Sequence, residues 1–264
     1  MSDNRTLPLE ERRLPPWDSG RCPVYVRRTP PCKDACPSSE DIRGYLTAIA
    51  QADLFGRTLE ESLDEAWRVL TDKNPFPAVI GRICPHPCEA ACNRRRLDQP
   101  LAIHDMERFI GDHGIRRGLA HQRLTDDIRK ETVAVIGAGP AGLSCAYQLA
   151  RRGYRVTVHE AAGAAGGMLR AGIPAYRLPR EVLEAEVAKI TGLGVELRYG
   201  TAAALEDLRE RFEAVYVAVG AHRGVRPGLP GDDLPGIMPA HEFLGGVNSG
   251  GLAVPGGEVL VIGG

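Results

Sequence analysis

The chain has 264 residues and carries 33 Lys and Arg against 34 Asp and Glu, so its formal net charge is -1. Hydrophobic residues make up 43% and charged residues 25%, which is typical of a globular protein with a sizeable core and excludes disorder over most of the chain. The even charge balance argues against a nucleic-acid-binding surface or a polybasic membrane anchor. We therefore expect neither nucleic acid nor a membrane as a partner.

Glycine and cysteine are distributed unevenly. Of the 31 glycines 24 follow residue 136, whereas six of the seven cysteines precede residue 93. The first residues, MSDNRTLPLEERRLPPWD, are polar and charged and do not resemble a signal peptide. A cytoplasmic protein is therefore expected, in which clustered cysteines are more often metal ligands or redox groups than disulfides.

The first 125 residues are predicted to be helical, after an extended proline-rich arm over residues 1–31. Ser38-x-x-Asp41 resembles a capping box that opens a helix, and Thr58-x-x-Glu61 is a second one. Apolar residues at helical spacing follow both boxes. The predicted helices cover SEDIRGYLTAIAQAD, the segment from Thr58 to the stop at NPFP, CEAAC, and Ile103 to about Ile115.

After the charged linker LTDDIRKE (124–131), strands and helices alternate, which indicates an α/β region with a parallel sheet. The predicted strands are TVAVIGA, VTVHE, VELRYG and AVYVAVGA, with helices between them. The last residues, EVLVIGG, are predicted to form one more strand that enters a glycine turn. From this we expect the sequence to be a truncated product of a longer protein.

A dinucleotide-binding fingerprint lies between the first strand and the first helix of this region. It is the G-x-G-x-x-G turn Gly137-Ala138-Gly139-Pro140-Ala141-Gly142. Its glycines serve a tight turn, close approach to a pyrophosphate and helix–strand packing, and the helix N-terminus faces the phosphates. Glu160 ends the next strand and is placed to bind a ribose hydroxyl, which disfavours a 2′-phosphate. The motif leaves open whether FAD or NAD binds.

The cysteines of the N-terminal half form two groups. Cys32-x3-Cys36-Pro37 matches the end of the bacterial ferredoxin run, and Cys84-Pro85-His86-Pro87-Cys88-x3-Cys92 follows about fifty residues later. Cys88 and Cys92 are expected to share one face of a short helix. Soft thiol ligands in this arrangement favour an iron–sulfur cluster, while zinc binding and inert buried thiols remain alternatives. Cys145 is interpreted as a core residue.

Several motifs together resemble one known family. They are CPSSEDIRGYL, NPFPAVIGRICPHPCEAACNR, IHDMERFIGD, VAVIGAGPAGLSCAYQLARRGYRVTVHEA, GGMLRAGIPAYRLPREV and YVAVGAHRG. In this order they resemble the small (β) subunit of glutamate synthase and its relatives, including the N-terminal region of dihydropyrimidine dehydrogenase. Within that family we expect a subunit tied to sulfur metabolism, such as the NAD(P)H oxidoreductase associated with reverse dissimilatory sulfite reductase.

The resemblance implies an α + α/β fold. A helical iron–sulfur domain (1–125) is followed by a Rossmann-like FAD-binding domain (126–257), cut at the start of an NAD(P)H-binding domain (258–264). It implies that the glycine turn and Glu160 hold the ADP part of FAD. The further residues that it assigns to the flavin are Gly167, Met168, Ile173, Arg177, Val219, Gly220 and Ala221.

The resemblance also implies 4Fe-4S clusters, one of them expected and a second possible from the cysteine count. The first maps onto Cys36, Cys84, Cys88 and Glu107 of HDMERF. The second maps onto Cys32, Cys92 and two upstream cysteines, of which this sequence offers Cys22 alone. A non-cysteine group then completes the second cluster, or a single cluster exists.

The function implied is electron transfer between NAD(P)H, FAD, the cluster and a redox partner protein, with a homodimer as one further arrangement. No triad or carboxylate pair stands out, so no catalytic acid, base or nucleophile is assigned. The alternative is a zinc-bearing dinucleotide-binding or assembly module without turnover.

Overall fold

The computed structural model describes residues 29–226, 228–253 and 255–263. These residues form eleven α-helices and four strands. The helices of the N-terminal half are α1 (Pro31–Ala35), α2 (Ile42–Ala50), α3 (Leu59–Thr71), α4 (Pro77–Ile83), α5 (Pro87–Ala90) and α6 (Ile103–Arg116). The second half contains β1 (Thr132–Ile136), α7 (Pro140–Arg151), β2 (Arg155–His159), α8 (Met168–Ala171), α9 (Arg180–Thr191), β3 (Glu196–Arg198), α10 (Leu205–Arg209), β4 (Ala214–Val217) and α11 (Ala240–Asn248).

The two capping predictions have different outcomes. Thr58 and Glu61 form the predicted reciprocal box at the start of α3, with the Glu61 N–H donating to Thr58 Oγ1 at 3.2 Å. The prediction for Ser38 is wrong, because α2 begins at Ile42 and Asp41 is its N-cap, accepting the N–H of Gly44 at 3.3 Å. Asp41 lies next to the helix, so its short carboxylate reaches the free N–H groups of the first turn directly.

Other elements also differ from the prediction. Helix α5 ends at Ala90, so Cys92 lies beyond it and does not share its face with Cys88. Helices α1, α4, α8 and α11 were not predicted. The predicted strand EVLVIGG does not form over its described residues 258–263, where Val259 to Ile262 are exposed. A strand needs a neighbour to accept its ladder hydrogen bonds, and the described part of the chain provides none there.

The four predicted strands of the α/β region form one parallel sheet in the order β3-β2-β1-β4. Val133 pairs with Val156 of β2 on one side and with Ala214 of β4 on the other. Helices lie between each pair of consecutive strands, as expected for βαβ units. The carboxyl ends of β1, β2 and β4 therefore lie side by side, which is where Rossmann-like sheets bind their ligands.

Two buried apolar clusters stabilise the molecule. One joins α2, α3, α5 and α6 through Tyr45, Trp67, Leu70 and Ile110. The other lies between the sheet and helices α7 and α9, and it also includes Phe76 and Val79 of the helical half. The helical half thus contributes side chains to the core of the α/β half. In the described ranges, no helix combines the length and apolarity needed to span a bilayer.

Candidate functional site

The glycine turn has the geometry of a dinucleotide cradle. Gly137 has a φ of +104°, and a Cβ there would lie 2.4 Å from the Ala218 carbonyl oxygen. A Cβ on Gly142 would lie 1.9 Å from the Gly137 carbonyl oxygen. These two glycines are therefore required by the turn and by the contact of α7 with the sheet.

Gly139 differs, because the space beside it is open. A Cβ on Gly139 would approach no atom more closely than the Gly167 Cα, at 4.0 Å. Gly139 is also the N-cap of α7, and no side chain caps this helix end. The free N–H groups of the first turn of α7 thus border a surface that lacks side chains, which fits a pyrophosphate. The residues present fit the ADP part of a dinucleotide.

Glu160 is joined to this turn by its own hydrogen bonds. Its Oε2 accepts the N–H of Ala138 at 2.7 Å, and its Oε1 accepts the N–H of Ala162 at 2.8 Å. The carboxylate is therefore held rigidly against the glycine turn at the end of β2. Each oxygen keeps a second lone pair, which leaves capacity to accept a ribose hydroxyl.

The other residues predicted to bind the flavin lie on two segments, one from Gly167 to Arg177 and one from Val219 to Ala221. Gly166 donates to the Ala138 carbonyl at 2.8 Å, which brings Gly167 and the exposed Met168 next to the glycine turn. Ile173 packs partly on the sheet core, and Arg177 is exposed. Val219, Gly220 and Ala221 follow Ala218, whose N–H donates to Ile136 at the end of β1. Gly167 lies beside Gly139, and Val219 lies beside Gly137, so both segments border the turn.

Thiols of both sequence groups lie at one apolar cluster of the helical half. Cys88 is buried, at 7% exposure, in the apolar cluster against which Cys32 and Cys36 pack. Burial raises the pKa of the Cys88 thiol to about 12, and the charges of Cys84, Glu89 and Cys36 raise it further. Within the described residues, no three Cys, His, Asp or Glu side chains are grouped closely enough to hold a single metal ion.

Cys84 directly follows α4. Its Sγ accepts the backbone N–H of His86 at 3.3 Å. Burial raises the pKa of Cys84, the His86 N–H opposes this, and Glu107, Cys36 and Glu40 add to it. Cys32 and Cys92 form a second neighbourhood, in which burial raises the pKa of Cys32 and Cys92 adds to the effect. Cys22 lies outside the described residues.

Glu107 is part of a buried polar group that the sequence did not indicate. Glu107 is 5% exposed and accepts the Asn74 amide at 2.7 Å, and Glu40 is 4% exposed beside it. Burial raises the pKa of Glu107 to about 9, and the charge of Glu40 adds to this. Burial raises the pKa of Glu40 to about 7, opposed by Asn74. Glu107 is therefore a buried carboxyl group of the helical half, and its place in the ligand set stays a prediction.

Helices α4 and α6 are in close backbone contact, which fixes the helix before Cys84 against the helix that carries Glu107. A Cβ on Gly81 of α4 would lie 2.4 Å from the Arg108 Cα, and one on Gly111 of α6 would lie 2.3 Å from the Ala78 nitrogen. No side chain fits between the two helices at these points. The glycine pair therefore fixes the helix that ends at Cys84 against the helix that carries Glu107.

A side chain of the α/β half also binds the first turn of helix α4. The carboxylate of Glu186, on α9, accepts the N–H of Ala78 at 2.7 Å and that of Val79 at 3.0 Å. The sequence analysis missed this residue. The sequence feature that could have identified Glu186 is an acidic residue on the apolar face of α9, between Leu183 and Ile190. A carboxylate that is buried there requires hydrogen-bond partners.

The donor set fits a soft-metal cluster. Cys88 belongs to an apolar cluster of the helical half against which Cys32 and Cys36 pack, and a backbone N–H points at the Cys84 sulfur. Thiolates are the preferred ligands of iron–sulfur clusters, and N–H groups near the sulfurs stabilise their negative charge. The fold and the site define a Rossmann-like nucleotide-binding protein with a helical iron–sulfur domain in front of it.

Comparisons with known proteins agree with this class. Residues 17–119 match the family model described as dihydropyrimidine dehydrogenase domain II, 4Fe-4S cluster. Residues 135–184 match the model described as NAD(P)-binding Rossmann-like domain. The two matches cover the helical half and the first βαβ unit, so the predicted fold class is confirmed.

Three curated relatives illustrate the range of similar proteins. The NADP(+)-dependent formate dehydrogenase subunit beta of Moorella thermoacetica is 38% identical over 89% of this chain and 36% of its own length. The NAD-dependent dihydropyrimidine dehydrogenase subunit PreT of Escherichia coli is 35% identical over 89% of this chain and 56% of its own. The glutamate synthase [NADPH] small chain of Escherichia coli is 32% identical over 87% and 49%.

The chain belongs to the family of glutamate synthase small-subunit-like and dihydropyrimidine dehydrogenase-type NAD(P)H oxidoreductase subunits. The predicted family resemblance is thereby confirmed. The chain spans 36% to 56% of the length of the three relatives. All three are named as a subunit or chain of an enzyme. Its expected tie to sulfur metabolism stays a prediction.

Proposed function

We propose that this chain is an electron-transfer module that links NAD(P)H, FAD and one or two 4Fe-4S clusters to a partner protein. The observation that carries the proposal is the apolar cluster of Cys88, against which Cys32 and Cys36 pack, in a chain whose other half presents a side-chain-free glycine cradle. The names of the relatives, which are NAD- or NADP-dependent oxidoreductase subunits, support the same reaction class.

The chain's residues bind and position the cofactors. Cys36, Cys84, Cys88 and Glu107 hold the first cluster, and Cys32 and Cys92, with Cys22, serve the second. Gly139 and the α7 N-terminus bind the FAD pyrophosphate, and Glu160 binds the ribose. The residues proposed to line the rest of the flavin are Gly137, Pro140, Ala141, Gly142, Gly167, Met168, Ile173, Arg177, Val219, Gly220 and Ala221.

Placement in one rigid framework is what the protein contributes. Flavin supplies the chemistry that converts a two-electron hydride donor into a source of single electrons, which clusters accept. The contact of Glu186 with α4 and the shared core at Phe76 and Val79 tie the two cofactor regions together and oppose their relative movement. A restricted separation favours electron transfer between them.

The proposal also covers the domain boundaries, the redox partner and the compartment. The domain boundaries are 1–125 for the iron–sulfur region, 126–257 for the flavin region and 258 onward for the NAD(P)H region. The electron acceptor or donor is a partner subunit, because the similar proteins are named as subunits. The compartment is the cytoplasm, where thiols remain reduced and available to iron.

The test is the composition and spectrum of the purified 264-residue chain, prepared without oxygen. We expect a brown-yellow protein that contains iron, acid-labile sulfide and FAD, with an electron paramagnetic resonance signal of a 4Fe-4S cluster after reduction. A colourless protein with stoichiometric zinc would contradict the proposal. A protein that contains iron but no flavin would support the proposed cluster and contradict the proposed dinucleotide site.

A further inference from the structure

Tyr45 has a buried hydroxyl group without a partner. Its side chain lies on the inner face of α2 at 0% exposure, packed in the apolar cluster with Trp67, Ile110 and Cys88. Within the described residues and the hydrogen-bond criteria, the Tyr45 hydroxyl donates to no group and accepts from none. A buried hydroxyl that lacks a partner is unfavourable, so native proteins seldom keep one.

The apolar cluster around Tyr45 also contains residues of the candidate cluster site. Cys88 shares the buried cluster with Tyr45, and Cys32 and Cys36 pack against the same cluster. A tyrosine hydroxyl carries its proton near neutral pH, so it can donate a hydrogen bond to a sulfur atom that reaches it.

A second buried tyrosine in the same chain shows the ordinary arrangement. Tyr147 is 1% exposed, and its hydroxyl donates to the Thr71 carbonyl oxygen at 2.5 Å. The fold thus satisfies a buried tyrosine with a backbone acceptor where no cofactor is expected. The Tyr45 hydroxyl, like that of buried Ser62, lacks such an acceptor within the described residues, and it shares an apolar cluster with Cys88, so it is available to an acceptor from outside the chain.

We propose that the Tyr45 hydroxyl donates a hydrogen bond to a sulfur atom of the cluster held by Cys36, Cys84 and Cys88, and thereby raises the reduction potential of that cluster. The inference rests on the proposed function, since it needs the cluster. A donor beside the sulfur stabilises the reduced cluster more than the oxidised one, because reduction adds a negative charge to the iron and sulfur atoms. Tyr45 acts through the cluster and is a positioning and tuning residue.

The experiment compares the wild-type chain with Tyr45→Phe and with the matched control Tyr147→Phe. Each protein is loaded anaerobically with ferrous iron and sulfide, and its midpoint potential is measured by reductive titration followed by electron paramagnetic resonance. Tyr45→Phe is expected to shift the midpoint to a more negative value. Tyr147→Phe, which also loses one buried hydroxyl, is expected to leave it unchanged.

Two further measurements separate tuning from a structural effect. Electron–nuclear double resonance in deuterated buffer should show one deuteron coupling that is present in the wild type and in Tyr147→Phe and absent from Tyr45→Phe, whereas the coupling of the exchangeable His86 N–H remains in all three. In the cluster-free chains, Tyr45→Phe should unfold at the same or a higher urea concentration than the wild type, because it removes an unsatisfied hydroxyl. Tyr147→Phe should unfold at a lower one, because it removes a satisfied hydrogen bond.

The outcomes distinguish this inference from the proposed function. A loaded Tyr45→Phe protein with an unchanged midpoint and a retained deuteron signal overturns the inference and leaves the cluster in place. A wild-type chain that takes up neither iron nor sulfide overturns the proposed function and the inference together. A shifted midpoint in both variants also overturns the inference, because the shift is then not specific to Tyr45.

Discussion

The carboxylate of Glu186 accepts the backbone N–H of Ala78 at 2.7 Å, so a side chain of the α/β half completes the first turn of the helix that leads to Cys84. Glu186 is 1% exposed, and its second oxygen accepts the N–H of Val79. The first turn of α4 has no side-chain cap of its own. The arrangement of one candidate ligand therefore depends on a residue 108 positions along the chain from Ala78.

Replacing Glu186 by alanine should destabilise the chain. Two buried N–H groups would lose their acceptor, and each unsatisfied donor costs about 1–3 kcal/mol. We expect the free energy of unfolding in urea to fall by about 2–4 kcal/mol. Glu184→Ala is the control, because Glu184 lies on the same helix with its side chain 61% exposed. An equal effect of the two substitutions would contradict the role assigned to Glu186.

Gly139→Val and Gly142→Ala should separate ligand binding from folding. The space beside Gly139 is open, so valine should leave the urea midpoint nearly unchanged while it fills the place of the pyrophosphate. A Cβ at Gly142 would overlap the Gly137 carbonyl oxygen, so alanine should lower the midpoint itself. Flavin content and urea unfolding measure the two effects. Normal flavin occupancy in Gly139→Val would count against the cradle.

Cys84→Ser should remove the first cluster. The hydroxyl is a poor ligand for iron, and a 4Fe-4S cluster contains about four iron atoms, so the iron content should fall by roughly that number per chain. Cys145→Ser is the matched control, because Cys145 lies in α7, outside the thiol group. Iron and sulfide analysis of both variants tests this assignment, and an unchanged iron content in Cys84→Ser refutes it.

His121 should make the stability of the chain depend on pH. Its ring stacks on Trp67 with centroids 5.2 Å apart and meets Tyr147 edge-on at 4.6 Å. Burial lowers the pKa of His121 to about 3, and the nearby charges of Lys189 and Arg151 lower it further. The unfolded chain binds this proton near pH 6.5, whereas the folded chain resists protonation down to about pH 3.

The stabilising contribution of neutral His121 is therefore present above pH 6.5 and is lost as the pH falls towards 3. The steepest slope is about 1.4 kcal/mol per pH unit. His121→Phe keeps an aromatic ring without a titrating group, so its free energy of unfolding should fall less over this range. The comparison is made by urea unfolding of the two cluster-free chains at a series of pH values. Parallel pH profiles would contradict the assignment.

Elements with local signals could be predicted from the sequence. The Thr58–Glu61 box starts α3 as predicted, because both partners lie within one helical turn. The strand–turn–helix unit around Gly137 also forms as predicted. Helix α4 could not be predicted in this way, because its free N–H groups are satisfied by Glu186 from a distant part of the chain. The apolar residues of EVLVIGG likewise do not form the predicted strand, because the described part of the chain offers no neighbouring strand there.

The sequence by itself determined the types of site, because the spacing of the glycines between a strand and a helix and the grouping of the cysteines are local features. Only the tertiary structure decided how the segments that carry these residues pack together. The contact of α4 with α6 through Gly81 and Gly111 fixes the helix before Cys84 against the helix of Glu107, and the burial of α2 places Tyr45 in the apolar cluster of Cys88. These neighbours come from helix packing between distant segments, which no local spacing encodes.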